Sequence, residues 1–386
     1  MRNSIQLFTF VGFIKGFSAA SLESQYFDEY VNLSKYVEKI HILSAEVSNV
    51  PIIPSNVEII KAPVSTIPKI RGFSKMFFYT IFPLKYRKKI NLIYVRTMSP
   101  PEIQSFWISK LFFKTKCVLL IGGTCFYEPL NLKNRFYRWL FSKALDSADK
   151  IVVYSKLMIP FVKEVNPKIL DTKFEIIHNA VDPMRFHPVK KDEQLFKEIG
   201  LQNSDRVIIF VGKINERKGV IDILQMMSLL KEDHAKCIFI GNYDSKSNEF
   251  KKIQHKIKEL NLSSKVFFLG EIPNNALEKY FSCAEIVVYL TKSCEGIPRA
   301  ILEGMACGKP VIATPIAGIP EAVINNETGF IIKNFSDAAI KTDELFSNND
   351  LFTKISKNCR KKIEQEFIYD VTLPKLVKVF QKVLND

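Results

Sequence analysis

Short apolar runs alternate along this chain with longer stretches in which apolar residues recur at helical spacing. In the first half the runs are Ile5–Phe10, Ile40–Ser44, Val57–Lys61, Leu92–Arg96, Cys117–Ile121, Lys150–Tyr154 and Phe174–Ile177. Helical patterns fill the gaps, as at Leu22–Tyr36 and Asn134–Leu145. Strands rich in Ile, Val and Leu that alternate with helices predict a parallel sheet covered on both faces. A polar connection follows, roughly Pro183 to Asp205, and then the alternation restarts. Strands are predicted at Val207–Val211, Cys237–Ile240, Val266–Leu269, Ile286–Leu290, Val311–Ala313 and Phe330–Ile332. Helices are predicted at Gly219–Leu230, Asn248–Leu260, Ala276–Phe281 and Pro298–Cys307. The closing stretch, Ile363–Leu384, reads as a helix broken at Pro374. The expected fold is therefore α/β, two Rossmann-like doubly wound domains over 1–185 and 186–365, with the carboxyl ends of both sheets facing a central cleft where ligands bind.

A length of 386 residues suits two such domains, and 47% hydrophobic with 25% charged residues is a globular composition. The seven cysteines contain no Cys-x-x-Cys pair, so neither a disulfide framework nor a zinc site is suggested and a reducing compartment is expected. There is no Asp-x-Asp triplet to hold a divalent metal, so no metal is expected. Gly-x-Gly-x-x-Gly and Gly-x-x-x-x-Gly-Lys-Ser/Thr are both missing, which weakens a dinucleotide or simple NTPase assignment. Ile5 to Ile14 follows Arg2 and precedes Ser18, Ala19 and Ala20, the outline of a signal peptide. The rest of the chain favours instead a first strand, Ser4 to Phe10, which a doubly wound domain needs there, running into a loop with Gly12 and Gly16. The longest apolar stretch considered for a membrane span, Met76–Leu84, is stopped by Lys75 and Lys85.

Charge is placed unevenly. The chain carries a net +15, and residues 1–190 hold 27 Lys/Arg against 14 Asp/Glu. Within 61–116 there are 12 basic residues, one acidic residue (Glu102) and eleven aromatics, Phe73, Phe77, Phe78 and Trp107 among them. Such a mixture suits an anionic membrane surface, which makes a peripheral contact on its cytoplasmic face an expectation. A core-facing aromatic stripe with a solvated basic face gives the same composition. No nucleic-acid motif accompanies the basic residues.

Two stretches carry candidate chemistry. In Val211-Gly212-Lys213-Ile214-Asn215-Glu216-Arg217-Lys218-Gly219 a buried strand runs through a cationic loop into a helix, an arrangement that suits a diphosphate but also a solvated loop. In Cys294-Glu295-Gly296-Ile297-Pro298-Arg299-Ala300-Ile301-Leu302-Glu303, Pro298 fits a first helical position and Gly296 permits close approach of a ligand. Glu303 then lies about 7.5 Å further along the axis, so two carboxylates address different parts of one extended ligand, each able to accept two hydrogen bonds from a vicinal diol. The block Gly308–Pro315 and Ala317–Glu321 reads as a second strand and small-residue loop beside the same site.

Glu295 and Glu303, with seven residues between them, resemble the Glu-x7-Glu signature of retaining family 4 glycosyltransferases (glycosyl transferases group 1). The 212–219 loop is similar to that family's diphosphate loop, with Lys213 where Arg is frequent. Ile177–Asp182, with Phe186 and Pro188, resembles its interdomain Pro-Asn-Gly-Val-Asp segment, His178 and Ala180 being departures. Val266–Pro273 is similar to the strand and loop that hold the base. The resemblance covers about 175–335 in detail and implies a two-domain GT-B fold, with helix 366–386 crossing back onto the first domain. It implies a nucleotide-diphosphate sugar donor, a glycan or lipid-linked acceptor, retention at the anomeric carbon and no cofactor. Lys213 and Lys218 would neutralise the diphosphate, Glu295 would hold the sugar and Glu303 the ribose, with Gly212, Gly270, Ile272, Gly296, Ile297 and Pro298 lining the donor site. Gly12 and Gly16 would lie near the donor phosphates. The His that many relatives carry after the Cys117–Ile121 strand is missing, and Thr124 or Glu128 are the polar residues there. An epimerase of similar fold and an inactive nucleotide-binding scaffold are the rival readings.

Overall fold

Every apolar run predicted as a strand is one. The structure, a computed structural model, describes residues 3–14, 22–47, 53–96, 100–122, 135–292 and 296–386. The chain divides into two units, one of residues 1–178 with 369–386 and one of residues 179–368.

In unit 1 the strands are β1 (Asn3–Ile14), β2 (Val37–Val47), β3 (Val57–Lys61), β4 (Leu92–Val95), β5 (Lys116–Ile121), β6 (Lys150–Val153) and β7 (Phe174–Ile176). They form one parallel sheet in the order β3-β2-β1-β4-β5-β6-β7. Helices α1 (Leu22–Leu33), α2 (Pro68–Tyr86), α3 (Pro100–Phe113), α4 (Arg135–Ser147) and α5 (Ile159–Val165) connect them. Continuous burial of β4, β5 and β6 explains their unbroken apolar sequence, since a parallel sheet offers no wet face. One expectation changes here. Gly12 lies inside β1, between the register pairs Val11↔Ser44 and Phe13↔Glu46, and not in a loop. The backbone ladder with β2 runs on past the glycine to Ile14↔Val47. Gly16 lies outside the described residues.

In unit 2, β8 (Arg206–Val211), β9 (Ala235–Ile240), β10 (Val266–Gly270), β11 (Ile286–Tyr289), β12 (Val311–Ala313) and β13 (Gly329–Ile331) form a second parallel sheet, ordered β10-β9-β8-β11-β12-β13. Around it lie α6 (Glu193–Glu198), α7 (Val220–Leu229), α8 (Asn248–Glu259), α9 (Leu277–Ser282), α10 (Arg299–Ala306), α11 (Ile319–Ala322), α12 (Phe335–Ser347) and α13 (Asn349–Glu366). Its core is continuous, from Val207–Phe210 and Ile286–Leu290 out to Ile355, Cys359 and Ile363 of α13.

The last helix, α14 (Tyr369–Asn385), belongs to unit 1, where it packs on α1 and β5 and its Phe380 meets Tyr94 edge-on at 5.2 Å. The break predicted at Pro374 falls earlier. Pro374 sits inside α14, while the helices part at Phe367–Ile368. There Val181 N donates to Phe367 O at 2.8 Å and Val181 bridges to Ile368, which draws the backbone out of helical pairing. The five described cysteines are all buried free thiols, and burial pushes Cys307 up to about 12. No described helix is long and apolar enough to cross a membrane.

Candidate functional site

The strand order of unit 2 reverses between β8 and β11, which pair directly through Ile208↔Ile286 and Ile209↔Val287. Connections leave these two strands in opposite directions, and the crevice beyond their carboxyl ends is where open α/β sheets take ligands. Both candidate segments begin there, the 212–219 loop after β8 and the 290–298 segment after β11.

The first loop is tied down along its length. Gly212 N donates to Ile240 O at 2.8 Å and Ile214 N to Asn242 O at 3.0 Å. A tight turn, Glu216–Lys218, is capped by Asn215, whose Oδ1 accepts from Lys218 N at 2.9 Å. Gly219 then opens α7 with φ at 78°, and a Cβ built on it would stand 1.9 Å from Leu290 O. Only glycine combines that dihedral with that approach. The second segment grips the first: Lys292 N donates to Arg217 O at 3.0 Å, and Thr291 Oγ1 to the same carbonyl at 3.4 Å. Two stretches far apart in sequence thus form one compact rim.

The loop sorts its cations. Lys218 is 7% exposed, with Nζ 3.3 Å from Tyr289 Oη, and Tyr289 stacks on Phe210 at 5.4 Å. Lys213 and Arg217 are exposed. A buried ammonium beside a phenol acts on an anion in a lower dielectric than a surface lysine does.

Gly296, Ile297 and Pro298 are buried, and Asn179 Nδ2 donates to Ile297 O at 2.7 Å. Pro298 is the residue before the helix rather than its first residue. Its ψ of 127° is extended, and its carbonyl accepts from Ile301 N at 3.0 Å. Glu303 is only 2% exposed, and Oε1 accepts from Asn274 Nδ2 at 3.1 Å with Arg299 Nε at 4.0 Å. Asn274 Oδ1 in turn accepts from Arg185 Nη1 at 3.0 Å. Gly270, with φ at 71°, and the half-buried Ile272 lie just ahead of Asn274, so this amide links the 270–273 loop to the Glu303 carboxylate. Sequence reasoning missed Asn274, because no spacing rule connects it to a carboxylate 29 residues away. Glu295, Thr124 and Glu128 lie outside the described residues. Among the described residues no cluster of His, Cys, Asp and Glu suits a metal ion.

Unit 1 holds a second cluster that sequence reasoning passed over. Arg96, immediately after β4, is buried against Glu29 of α1 and against the Tyr154 hydroxyl, and Tyr94 Oη donates to Glu29 Oε1 at 3.4 Å. Burial, with Glu29 nearby, raises the Tyr94 phenol well above its ordinary range. The only local signal is an arginine at the end of an apolar run.

The fold recurs in known proteins. Residues 191–362 match the family described as Glycosyl transferases group 1. The chain is 24% identical over 310 residues to N-acetyl-alpha-D-glucosaminyl L-malate synthase of Bacillus anthracis, covering 78% of this chain and 77% of that protein. The crystal structure of a glycosyltransferase from Rickettsia africae superposes with a TM-score of 0.79 at 20% identity, covering 100% of both chains. Anabaena Alr3699/HepE in complex with UDP-glucose gives 0.76 at 15% identity over 98% of this chain and 100% of that one. The fold defines the class, a two-domain GT-B protein, and the family match over 191–362 with the curated relative supports a group 1 glycosyltransferase.

Proposed function

We propose that the protein is a retaining glycosyltransferase of family 4, moving a sugar from a nucleotide diphosphate to a hydroxyl of a glycan or lipid-linked acceptor in cell-surface polysaccharide or glycolipid synthesis. The observation that carries the proposal is the rim at the β8/β11 reversal, where Lys218 is buried beside a segment that leads into the helix of Glu303. In transfer, the bond from the anomeric carbon to the diphosphate oxygen breaks as the acceptor oxygen bonds to that carbon. Negative charge grows on the leaving diphosphate. Lys218, Lys213 and the free N–H groups of the α7 first turn lie where they would meet it, and fixed dipoles at developing charge are the strongest single means of lowering such a barrier. Glu303, oriented by Asn274, takes the ribose hydroxyls, and Gly270 and Ile272 take the base. Gly212, Gly296, Ile297 and Pro298 line the site, and Glu295 holds the donor sugar. No metal or other cofactor enters this account, since lysines supply the positive charge. The reaction is assigned to the cytoplasmic side, at the membrane surface.

Incubation of the purified chain with nucleotide sugars and candidate acceptors, followed by mass and anomeric analysis, tests the proposal. A glycosylated acceptor with the donor's anomeric configuration supports it. Isomerised nucleotide sugar with no acceptor product would point to an epimerase, and neither product to an inactive binding scaffold.

A further inference from the structure

Helix α2 carries an apolar stripe that the fold leaves uncovered. Ile67, just before the helix, and Ile70, Phe73, Phe77 and Ile81 within it are all exposed, from 38% at Ile81 to 77% at Phe73. At 100° per residue these five fall within an arc of about 120°. Tyr79, on the opposite side, is fully buried, and the Ser105 hydroxyl of α3 donates to its carbonyl, so α2 already has its protein contact on the other face. The exposed apolar character continues onto the helices packed next in line. Leu111 and Phe112 end α3, and Phe136 and Trp139 lie on α4, where Trp139 meets Trp107 edge-on at 5.4 Å. Patches of this extent mark an interaction surface.

Among the described residues, those flanking the stripe carry charge of one sign. Lys69 and Arg71 stand about 100° to either side of Ile70, long stems flanking the apolar arc. Lys85, Arg87, Lys88 and Lys89 follow at its carboxyl end, and Lys114, Arg135 and Arg138 accompany the α3 and α4 residues, all exposed. Glu102, the one carboxylate in 61–116, is 1% exposed and held by Lys75 at 3.3 Å, so it contributes nothing to that surface. A second copy of the chain is a poor occupant, because a two-fold interface would set this cationic rim against itself.

We propose that this face of unit 1 docks on an anionic lipid bilayer, with the Phe73 and Phe77 rings entering the headgroup–acyl boundary and the flanking Lys and Arg meeting lipid phosphates. The inference deepens the membrane-surface assignment made above, and its test is separate from that of transfer, since docking needs neither donor nor acceptor.

The test is sedimentation of the full chain with vesicles of phosphatidylcholine, with and without phosphatidylglycerol, across a salt series and without nucleotide. Binding is expected to the anionic vesicles only and to weaken as salt rises. Phe73→Ser with Phe77→Ser should lower the partition coefficient roughly a hundredfold, about tenfold per ring. The melting temperature should hold, because both rings are exposed in the folded chain. No binding to anionic vesicles, or equal binding to neutral ones, would overturn the proposal. So would a concentration-dependent dimer that the same double variant abolishes in a chain that ignores vesicles.

Discussion

Lys218→Met separates a buried catalytic cation from an ordinary surface lysine. Methionine keeps an unbranched stem of similar reach and removes the ammonium. The side chain is 7% exposed and lies 3.3 Å from Tyr289 Oη, a hydroxyl that can turn to other acceptors when the ammonium is removed. Replacing a buried charge with an apolar chain of similar volume is close to neutral, so the melting temperature should move by no more than a few degrees. The effect on turnover is of another order. Removing one preorganised donor aimed at a developing oxyanion costs about 3–4 kcal/mol, or roughly 10²–10³ in kcat. Lys213 is exposed, and its charge is screened by water and salt. A surface pair contributes about 1 kcal/mol or less, so Lys213→Met should cost about fivefold. The assay is initial-rate transfer with donor saturating, beside circular dichroism and thermal melting of each variant. Equal losses for the two lysines, or full activity in folded Lys218→Met, would refute the assignment of Lys218 to the diphosphate.

Three further outcomes follow from the geometry. Gly219→Ala places a methyl 1.9 Å from Leu290 O at φ 78°, and dihedral cost plus forced displacement should lower stability by about 3 kcal/mol in urea unfolding; an unchanged midpoint would contradict the packing of loop on strand. Asn274→Ala removes the donor to Glu303 and should raise the donor KM with kcat much less affected, because the contact serves ground state and transition state alike; a kcat-only effect would remove it from ribose binding. His41 is buried between Phe8 and Tyr86, and desolvation pulls its imidazole below the ordinary 6.5, against a partial opposing pull from Glu58. The neutral ring belongs to the folded state, so its contribution is complete above pH 6.5 and is lost as pH falls below it. The urea midpoint should fall between pH 7 and pH 5 more gently in His41→Phe than in the parent, and parallel slopes would refute that role.

Much of the architecture was legible because both parallel sheets write themselves as apolar runs. The β8–β13 strands match the predicted runs to within a residue or two. What was misread lay where a single residue type was given too much weight. Gly12 suggested a loop, although Val11 and Phe13 continued the ladder, and Pro374 suggested a break that the Val181 pairing places at Phe367–Ile368. At the site, the 212–219 loop and the stretch from Cys294 into the Glu303 helix were each legible, but the bond from Lys292 N to Arg217 O and the close approach of Gly219 to Leu290 O depend on strand order, which no local pattern encodes. Asn274 and the Glu29–Arg96 pair were invisible for the same reason, and so was the partner of Asn179: folding brings these groups together across long separations.

The most direct test of the central claim is thermal melting of the purified chain against UDP, GDP, ADP and their sugars, with no metal added. A donor site in unit 2 predicts that one nucleotide family raises the melting temperature, by about 2.7 kcal/mol of stabilisation at a hundredfold excess over its Kd, and that Lys218→Met weakens that shift. No shift with any nucleotide, or a shift unchanged in Lys218→Met, would contradict it.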